Sequence, residues 1–581
     1  MNVHSFALAQ GKDPARVVVI SSMEKLRSDQ TLEKGSAKVS LSVARGEAES
    51  GQLLVAAPEN RALRNVTVKV APLRNLSGAT LDLTLSLVGY VNIPLPTPDG
   101  YNTPGNYPDI LYPLKPFEVA AGQNQSIWLT AWVPREAQPG VYEGALVIND
   151  DRGHIARVPV SVRIYSAVLP KQAFLKTAFG YGPWEIEKPK YYGASWTGSE
   201  KEEAFLRQML SYRMTPVNND IGGTLRSLKD AITKNADGQW KADWTAFDQE
   251  VEKRLKEGWT QFFLSHLPLS WWNPDSDRNL TVELNRWGKV SRAEQGQILR
   301  LLDTHLVEKK WAHLFAYKCF DEPSINPNNE KFIREFADFF HENAPHLRLL
   351  MITTDCREKN LAKEYPLYTW VPHLPSLDLD PGYQEFLQER QMMGEQAWFY
   401  ICETRTFHEI SQRYADAAPI DRTGTSQRAL GWLAWRNHLD GFLYWNVAAW
   451  DYRDGYDHPE NAHKGEGVLF YPDLKNHGVP FPSIRAELLR DGFEDYDLLF
   501  LLNQKIARLE AAPNLDASQK KALTEAKGLL DISDLAPNLR DFNKDPSTYE
   551  KHHNAVLEAL ENLEQIEPSR PEPVRRLIPK S

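Results

Sequence analysis

Cysteine is scarce in this chain: Cys319, Cys356 and Cys402 are the only three among 581 residues. Three thiols cannot form a fully paired disulfide framework, and without a Cys-x-x-Cys they give no ground for zinc or dithiol redox chemistry. Long hydrophobic runs are also lacking. No uninterrupted stretch of about 18 apolar residues occurs, so nothing in the sequence is built to span a bilayer. Positive charge is in the minority, with 67 Lys and Arg against 77 Asp and Glu. The net charge of −10 argues against nucleic acid or an anionic membrane as partner. The start, "MNVHSFALAQGKDP", lacks a basic n-region and a full apolar segment. Its "SFALAQ", with Ala7-Leu8-Ala9 ahead of Gln10, reads as the tail of a truncated export signal. That reading implies a periplasmic or secreted protein of bacterial type.

Aromatic residues, by contrast, are plentiful. Seventeen Trp and 22 Tyr suit either large cores or sites where flat rings meet the C–H faces of sugars. From about residue 17 to 168, short runs such as "ARVVVISS", "NVTVKVAP", "QSIWLTAWVP" and "ARVPVSVRIY" alternate with turn signals. This period-two pattern predicts an N-terminal antiparallel β-sandwich over 15–170. After Pro170 the texture changes. Eight β-like runs follow: "AFLKTAFG", "SYRMTPVN", "TQFFLSHLP", "AHLFAYKCFDEP", "LRLLMITTD", "LYTWVPHLP", "EQAWFYICE" and "DGFLYWNVA". Amphipathic segments follow most of them, which is the signature of a (β/α)₈ TIM-like barrel over 171–510. Helical stretches beyond it predict a C-terminal helical appendage over 511–581.

Asp321 and Glu322, in "AYKCFDEPSINP", stand side by side at the end of the fourth run. Ionised carboxylates are costly to remove from water unless compensated, and barrel enzymes build their sites at the C-terminal ends of the strands. Pro323 biases Glu322 toward extended backbone, so both acids border one pocket. Neighbouring carboxylates repel, one pKa rises, and the pair holds a proton near neutral pH. A protonated acid beside a charge stabiliser suits the cleavage of an acetal through a cationic transition state. An ordinary retaining glycosidase keeps its nucleophile on another strand, about 5–5.5 Å from the acid. Adjacent acids instead suit a route in which the substrate's own 2-acetamido oxygen attacks C1.

These residues resemble glycoside hydrolase family 123. The resemblance runs through "ARGEAESGQLLVAAPENRALRNVTVKV" and "WVPREAQPGVYEGALVI" in the sandwich, and "YKCFDEP", "YTWVPHLP" and "DGFLYWNVAAW" in the barrel. It is most specific in "GEGVLFYPDLKNHGVPFPSIRAELLRDGFEDYDLLFLL", similar to a C-terminal signature of a broad group of related glycosidase-like proteins. What the resemblance implies is a β-N-acetylgalactosaminidase that cleaves terminal β-linked GalNAc with retention, through an oxazolinium intermediate. Asp321 then orients the acetamide, Glu322 is the acid/base, and no cofactor is implied. The substrate partner is a glycan carrying a β-linked N-acetylgalactosaminide.

Strand ends supply the remaining candidates. Trp370 and His373 follow strand six, and Trp445 and Asn446 follow strand eight. His266 and the "SWWNPD" loop with Trp271 lie beyond strand three, and Tyr181 and Trp184 follow strand one. Trp398 and Tyr400 share one face of strand seven, either the pocket's or the helical layer's. The acidic loop "DYRDGYDHPENAHKGEG" does not match EF-hand spacing, so no metal is expected there. Two other functions stay open. Glu403 ends strand seven and is the alternative nucleophile of a retaining glycosidase of another sugar specificity, with Glu322 as its acid/base. The other is a non-catalytic glycan-binding protein built on the same barrel.

Overall fold

The computed structural model describes residues 15–30, 35–97, 103–218, 225–264, 290–322, 327–353, 367–402, 414–451, 465–512 and 515–565. The chain up to Val168 forms two main sheets. One orders Arg16–Ser21, Ala48–Ala56, Asn124–Trp132, Thr84–Ile93 and Gly105–Pro113. The other orders Val39–Arg45, Gly153–Val168, Gly140–Asp150, Leu63–Val70 and Phe117–Val119. Alternate residues turn inward to a shared core, Leu53, Val55, Ile127 and Leu129 from one sheet and Val43, Leu146, Val160 and Val162 from the other. One pair departs from the antiparallel expectation, because Val39–Arg45 runs parallel to Gly153–Val168. Gly46 is where the chain changes sheet. Its φ of +79° is left-handed, and a Cβ there would lie 2.9 Å from Arg135 Cγ. A strand that crosses between sheets is not bound to its neighbour by a hairpin, so it is free to pair in parallel.

The barrel follows. Its strands are β1 (Lys176–Tyr181), β2 (Pro216–Asn218), β3 (Phe262–Leu264), β4 (Phe315–Asp321), β5 (Arg348–Thr353), β6 (Tyr368–Pro372), β7 (Gln396–Tyr400) and β8 (Gly441–Tyr444). Seven of them lie wholly within the runs picked out from the sequence, and β1 ends one residue beyond its run, at Tyr181. They pair in parallel in the order β2-β1-β8-β7-β6-β5-β4-β3. The barrel is therefore nearly closed, with a seam between β2 and β3 among the described residues. Just ahead of these two strands a side-chain bond crosses the seam, the Thr215 and Thr260 hydroxyls lying 3.1 Å apart.

Alternation sorts the strand residues into two layers. Ala178, Val217, Phe263, Ala316, Leu350, Ile352, Val371, Trp398, Tyr400 and Leu443 fill the lumen. Their neighbours, among them Phe179, Tyr317, Met351, Phe399 and Phe442, face the helices. Gly441 on β8 leaves room for the Trp398 indole, which a Cβ would meet at 2.4 Å. Trp398 is fully buried and plugs the lumen.

The longer helices around the barrel are α1 (Glu200–Ser211), α2 (Thr245–Glu257), α3 (Arg292–Glu308), α4 (Pro327–Asn343), α5 (Tyr383–Met392), α6 (Thr425–Arg436) and α7 (Ile484–Glu510). After them come α8 (Ala517–Gly528) and α9 (Pro546–Glu564). α6 and α7 touch backbone to backbone, since a Cβ on Gly431 would sit 1.8 Å from the Gly492 carbonyl oxygen. α9 does not hang off the domain as an appendage. It buries Tyr549, His553, Leu557 and Leu560 in the barrel's helical core, and Glu561 pairs with Arg163 of the sandwich at 2.9 Å.

Where sandwich, barrel and α9 meet, charges are buried and paired. Arg428 of α6 bonds Glu49 of the sandwich at 3.0 Å and Asp495 of α7 at 2.7 Å. His553 of α9 bonds Asp495 through Nδ1 at 2.7 Å and the Ser42 carbonyl through Nε2 at 3.1 Å. Arg485 holds Asp109 at 2.9 Å, and the Tyr471 hydroxyl donates to the same carboxylate at 2.6 Å. Among the described residues no helix is long and apolar enough to cross a membrane.

Candidate active site

The acid pair lies where β4 leaves the barrel. The register between β4 and β5 shifts between Lys318 and Phe320, a bulge that brings position 321 opposite Ile352, a lumen residue. Glu322 comes next, with φ +48°, and its N–H donates to the Ile352 carbonyl at 3.1 Å. This corrects the extended backbone expected from Pro323. A left-handed angle at a residue with a side chain costs of order 1–3 kcal/mol and persists only where its surroundings fix it. Here the bulge and the bond to β5 hold the backbone, and the side chain has its own anchor.

That anchor comes from β7. The Tyr400 hydroxyl donates to Glu322 Oε1 in a short hydrogen bond. The Cys402 thiol lies 3.9 Å from the same oxygen and is oriented to donate to it. Tyr400 is buried in the lumen, so its hydroxyl rises from the barrel floor toward the half-buried acid. This settles the face that strand periodicity left open for Trp398 and Tyr400. His373 continues β6 by a backbone bridge to Tyr400, and their rings pack at 5.0 Å. Burial pushes the His373 imidazole down to about 4, and a hydrogen bond to the Cys402 backbone offsets only part of that. His373 is therefore neutral at ordinary pH.

A second group sits at the ends of β8 and β1. Trp445 is half-buried, and its Nε1–H donates to Glu466 at 2.5 Å. Gly467, at φ +72°, leaves space for that indole, which a Cβ would meet at 2.5 Å. Asn446 is buried, and its Oδ1 accepts from the Ala448 N–H at 2.9 Å. Beside it, Gly182 keeps the chain close: a Cβ there would lie 3.3 Å from Asn446 Nδ2 and 3.0 Å from Trp184 Nε1. Trp184 is 48% exposed at this rim, with Lys188 Nζ 5.1 Å from its ring centroid.

Two expected sugar contacts are not brought to the barrel mouth. Trp370 lies on the helical side of β6, where its Nε1–H donates to Glu395 at 2.7 Å and its ring meets Phe386 of α5. Tyr181 faces α1, its hydroxyl 3.3 Å from Glu202. Val371 and Ala178, the neighbouring lumen positions, show which phase the strands adopt. His266, Trp271 and Glu403 lie outside the described residues. No sequence pattern gives Tyr400, Cys402 or Glu466 a role. Glu466 was within reach there, since it lies in the quoted "GEGVLFYP" run of the C-terminal signature. Among the described residues the acids and histidine close enough to share a metal ion are Glu47, Glu49 and His553. They sit at the sandwich junction, away from the mouth, and are engaged by Ala44 N–H, Arg428 and Asp495.

A parallel barrel with an acid pair closing its fourth strand, and aromatic and amide groups at the ends of its eighth and first, belongs to the class of barrel glycosidases. Comparison with family models identifies the family. Residues 227–502 match the catalytic domain of glycoside hydrolase 123, and residues 22–150 match the glycoside hydrolase 123 N-terminal domain. The chain belongs to glycoside hydrolase family 123. Among solved structures it is similar to a family 123 glycoside hydrolase from Clostridium perfringens, with a TM-score of 0.64 and 16% identity over 95% of this chain and 98% of that one. That likeness shows the shared fold. A family 5 xyloglucanase from Bacteroides ovatus matches at a TM-score of 0.30 and 9% identity, over 78% of this chain and 98% of its own. A family 39 glycoside hydrolase from Bacteroides cellulosilyticus gives 0.30 and 11%, over 78% and 81%. No curated protein matches the chain in sequence.

Proposed function

We propose that this glycosidase is a β-N-acetylgalactosaminidase that releases terminal β-linked GalNAc from glycans by substrate-assisted catalysis. The observation that carries the proposal is the position of Glu322, held over the lumen by Tyr400 and directly following Asp321. Membership of family 123 supports it, as does the Clostridium perfringens enzyme, which was studied for glycolipid glycan hydrolysis. In the first step the acetamido oxygen attacks C1 while Glu322 gives its proton to the leaving glycosidic oxygen. Asp321 orients the acetamide and balances the positive charge on its nitrogen in the oxazolinium ion. In the second step Glu322 takes a proton from water, which attacks C1 from the face the leaving group vacated and gives net retention. Tyr400 acts as a positioning residue that fixes the Glu322 carboxyl. His373, Trp445 and Asn446 belong to the proposed sugar-binding wall, with His266 and Trp271 as its expected members beyond β3. Export, expected from Ala7-Leu8-Ala9, places such an enzyme where free glycans are met.

The test is hydrolysis of p-nitrophenyl β-N-acetylgalactosaminide beside the N-acetylglucosaminide and the plain β-galactoside. Turnover confined to the first, lost in Glu322→Gln and reduced about 10²-fold or more in Asp321→Asn, is the expected result. Equal turnover of the plain galactoside, abolished by Glu403→Gln, would replace the acetamide with Glu403 as the nucleophile.

A further inference from the structure

At the opposite end of the barrel from Glu322 a groove of about 540 Å³ opens between the sandwich, the linker at Pro170 and α1. Lys171 precedes β1 and Arg213 precedes β2, which fixes this end as the N-terminal one. The groove has an aromatic wall. Trp132 lines it half-buried, backed by the Arg490 guanidinium at 4.7 Å from its ring and braced edge-on by Tyr212 at 5.6 Å. Cations surround this wall. Arg213 is spent on structure, bonding Glu494 at 3.0 Å, the Pro170 carbonyl at 2.8 Å and the Gly46 carbonyl at 2.9 Å. Arg135 uses one nitrogen on the Leu169 carbonyl. Arg207 and Lys171 are exposed and have no acidic partner among the described residues.

The acids in the lining do not neutralise them. Glu494 is taken by Arg213 and by the Ala48 N–H at 3.1 Å. Glu257 is held by Arg254 at 3.1 Å. Glu47 accepts from the Ala44 N–H and faces His553 at 3.7 Å. The groove thus offers a flat ring and unpaired cations around it, in a volume suited to one or two sugar rings rather than a bare ion.

We propose that this groove is a second carbohydrate-binding site, separate from the barrel mouth, that takes an acidic sugar unit. The C–H face of a pyranose lies on Trp132, and its carboxylate or sulfate is met by Arg207, Arg135 and Lys171. Such a site holds an acidic glycan on the enzyme without taking part in bond cleavage.

The full-length protein is titrated calorimetrically with 3′-sulfolactose, lactose and inorganic sulfate at low ionic strength. The sulfated disaccharide is expected to bind about tenfold or more tightly than either lactose or sulfate, and to weaken with added salt. Arg207→Glu, on the exposed face of α1, should weaken it about tenfold while hydrolysing the aryl glycoside at the wild-type rate. Trp132→Ala should weaken it as well. Lactose binding as tightly as its sulfate, or full binding retained in Arg207→Glu, overturns the proposal. Sulfate binding as tightly as 3′-sulfolactose overturns it in favour of a simple anion site, and absence of binding overturns it outright.

Discussion

Glu322 carries a left-handed backbone, a bond to β5 and a hydrogen bond from Tyr400, and each of the three constrains where its proton goes. Replacing Tyr400 with Phe keeps the ring against His373 and removes only the hydroxyl. A hydrogen bond to an ionisable group is worth about 1.5–3 kcal/mol, so kcat on the aryl N-acetylgalactosaminide should fall about 10- to 100-fold with a smaller change in KM. An unchanged kcat would remove Tyr400 from the positioning role. His373 allows a second test at this scale. Its folded value near 4 lies below the ordinary 6.5 because burial disfavours the charged ring. Neutral in both states above about 6.5, it costs nothing there. As pH falls below that value the unfolded chain takes up a proton the fold refuses, so stability is lost by about 1.4 kcal/mol per pH unit until about pH 4. Urea midpoints at pH 7 and pH 5 should diverge in the wild type and converge in His373→Asn. The acid pair could be read from the sequence because two carboxylates ahead of Pro323 are out of place in an apolar run. No local pattern links Tyr400 to Glu322, which lies 78 positions earlier in the chain.

Strands were the most legible elements, and their facing the least. Parallel barrel strands are buried on both sides, so apolar residues occupy both phases and the period of two marks alternation without marking which phase faces the lumen. Trp370 and Val371 illustrate the ambiguity: the larger ring looked like the sugar contact, yet it is Val371 that lies in the lumen. Helices were legible as amphipathic segments, but the glycine contact between α6 and α7 was not, since Gly431 and Gly492 carry no periodic signal. A methyl group on Gly431 would lie 1.8 Å from the Gly492 carbonyl oxygen, a collision only helix separation can relieve. Gly431→Ala should therefore cost about 3 kcal/mol or more, or leave the protein insoluble. Gly528, at the end of α8, has nothing within 4 Å of its would-be Cβ. Gly528→Ala should be neutral or stabilising by about 0.5–1 kcal/mol, and thermal melts of the two variants separate packing from helix propensity.

At the scale of the whole molecule, buried ion pairs join parts of the chain that no local pattern links. His553 lies in α9, Glu49 in the sandwich, and Arg428 and Asp495 on the barrel's outer helices. Burial alone would lower the His553 pKa, but Glu47, Asp495 and Glu49 outweigh it and hold the imidazolium up to about 10. Its contribution is complete below the unfolded value of about 6.5 and is lost as pH rises toward 10, by about 1.4 kcal/mol per unit. Thermal stability should thus fall between pH 7 and pH 10 in the wild type and change less in His553→Gln. A wild type as flat as the variant would show that the cluster carries no such proton. The cluster also fixes an order of events during synthesis. Sandwich residues Glu47 and Glu49 leave the ribosome some five hundred residues before their His553 partner. Before that partner emerges, Arg428 and Arg485 have already reached Glu49 and Asp109 of the sandwich, while Glu47 still lacks its imidazolium neighbour. α9 therefore acts as a late latch: a product stopped at residue 510 keeps the arginine pairs between sandwich and barrel but lacks the imidazolium, and it should melt lower and be cut by protease faster than the chain that carries α9.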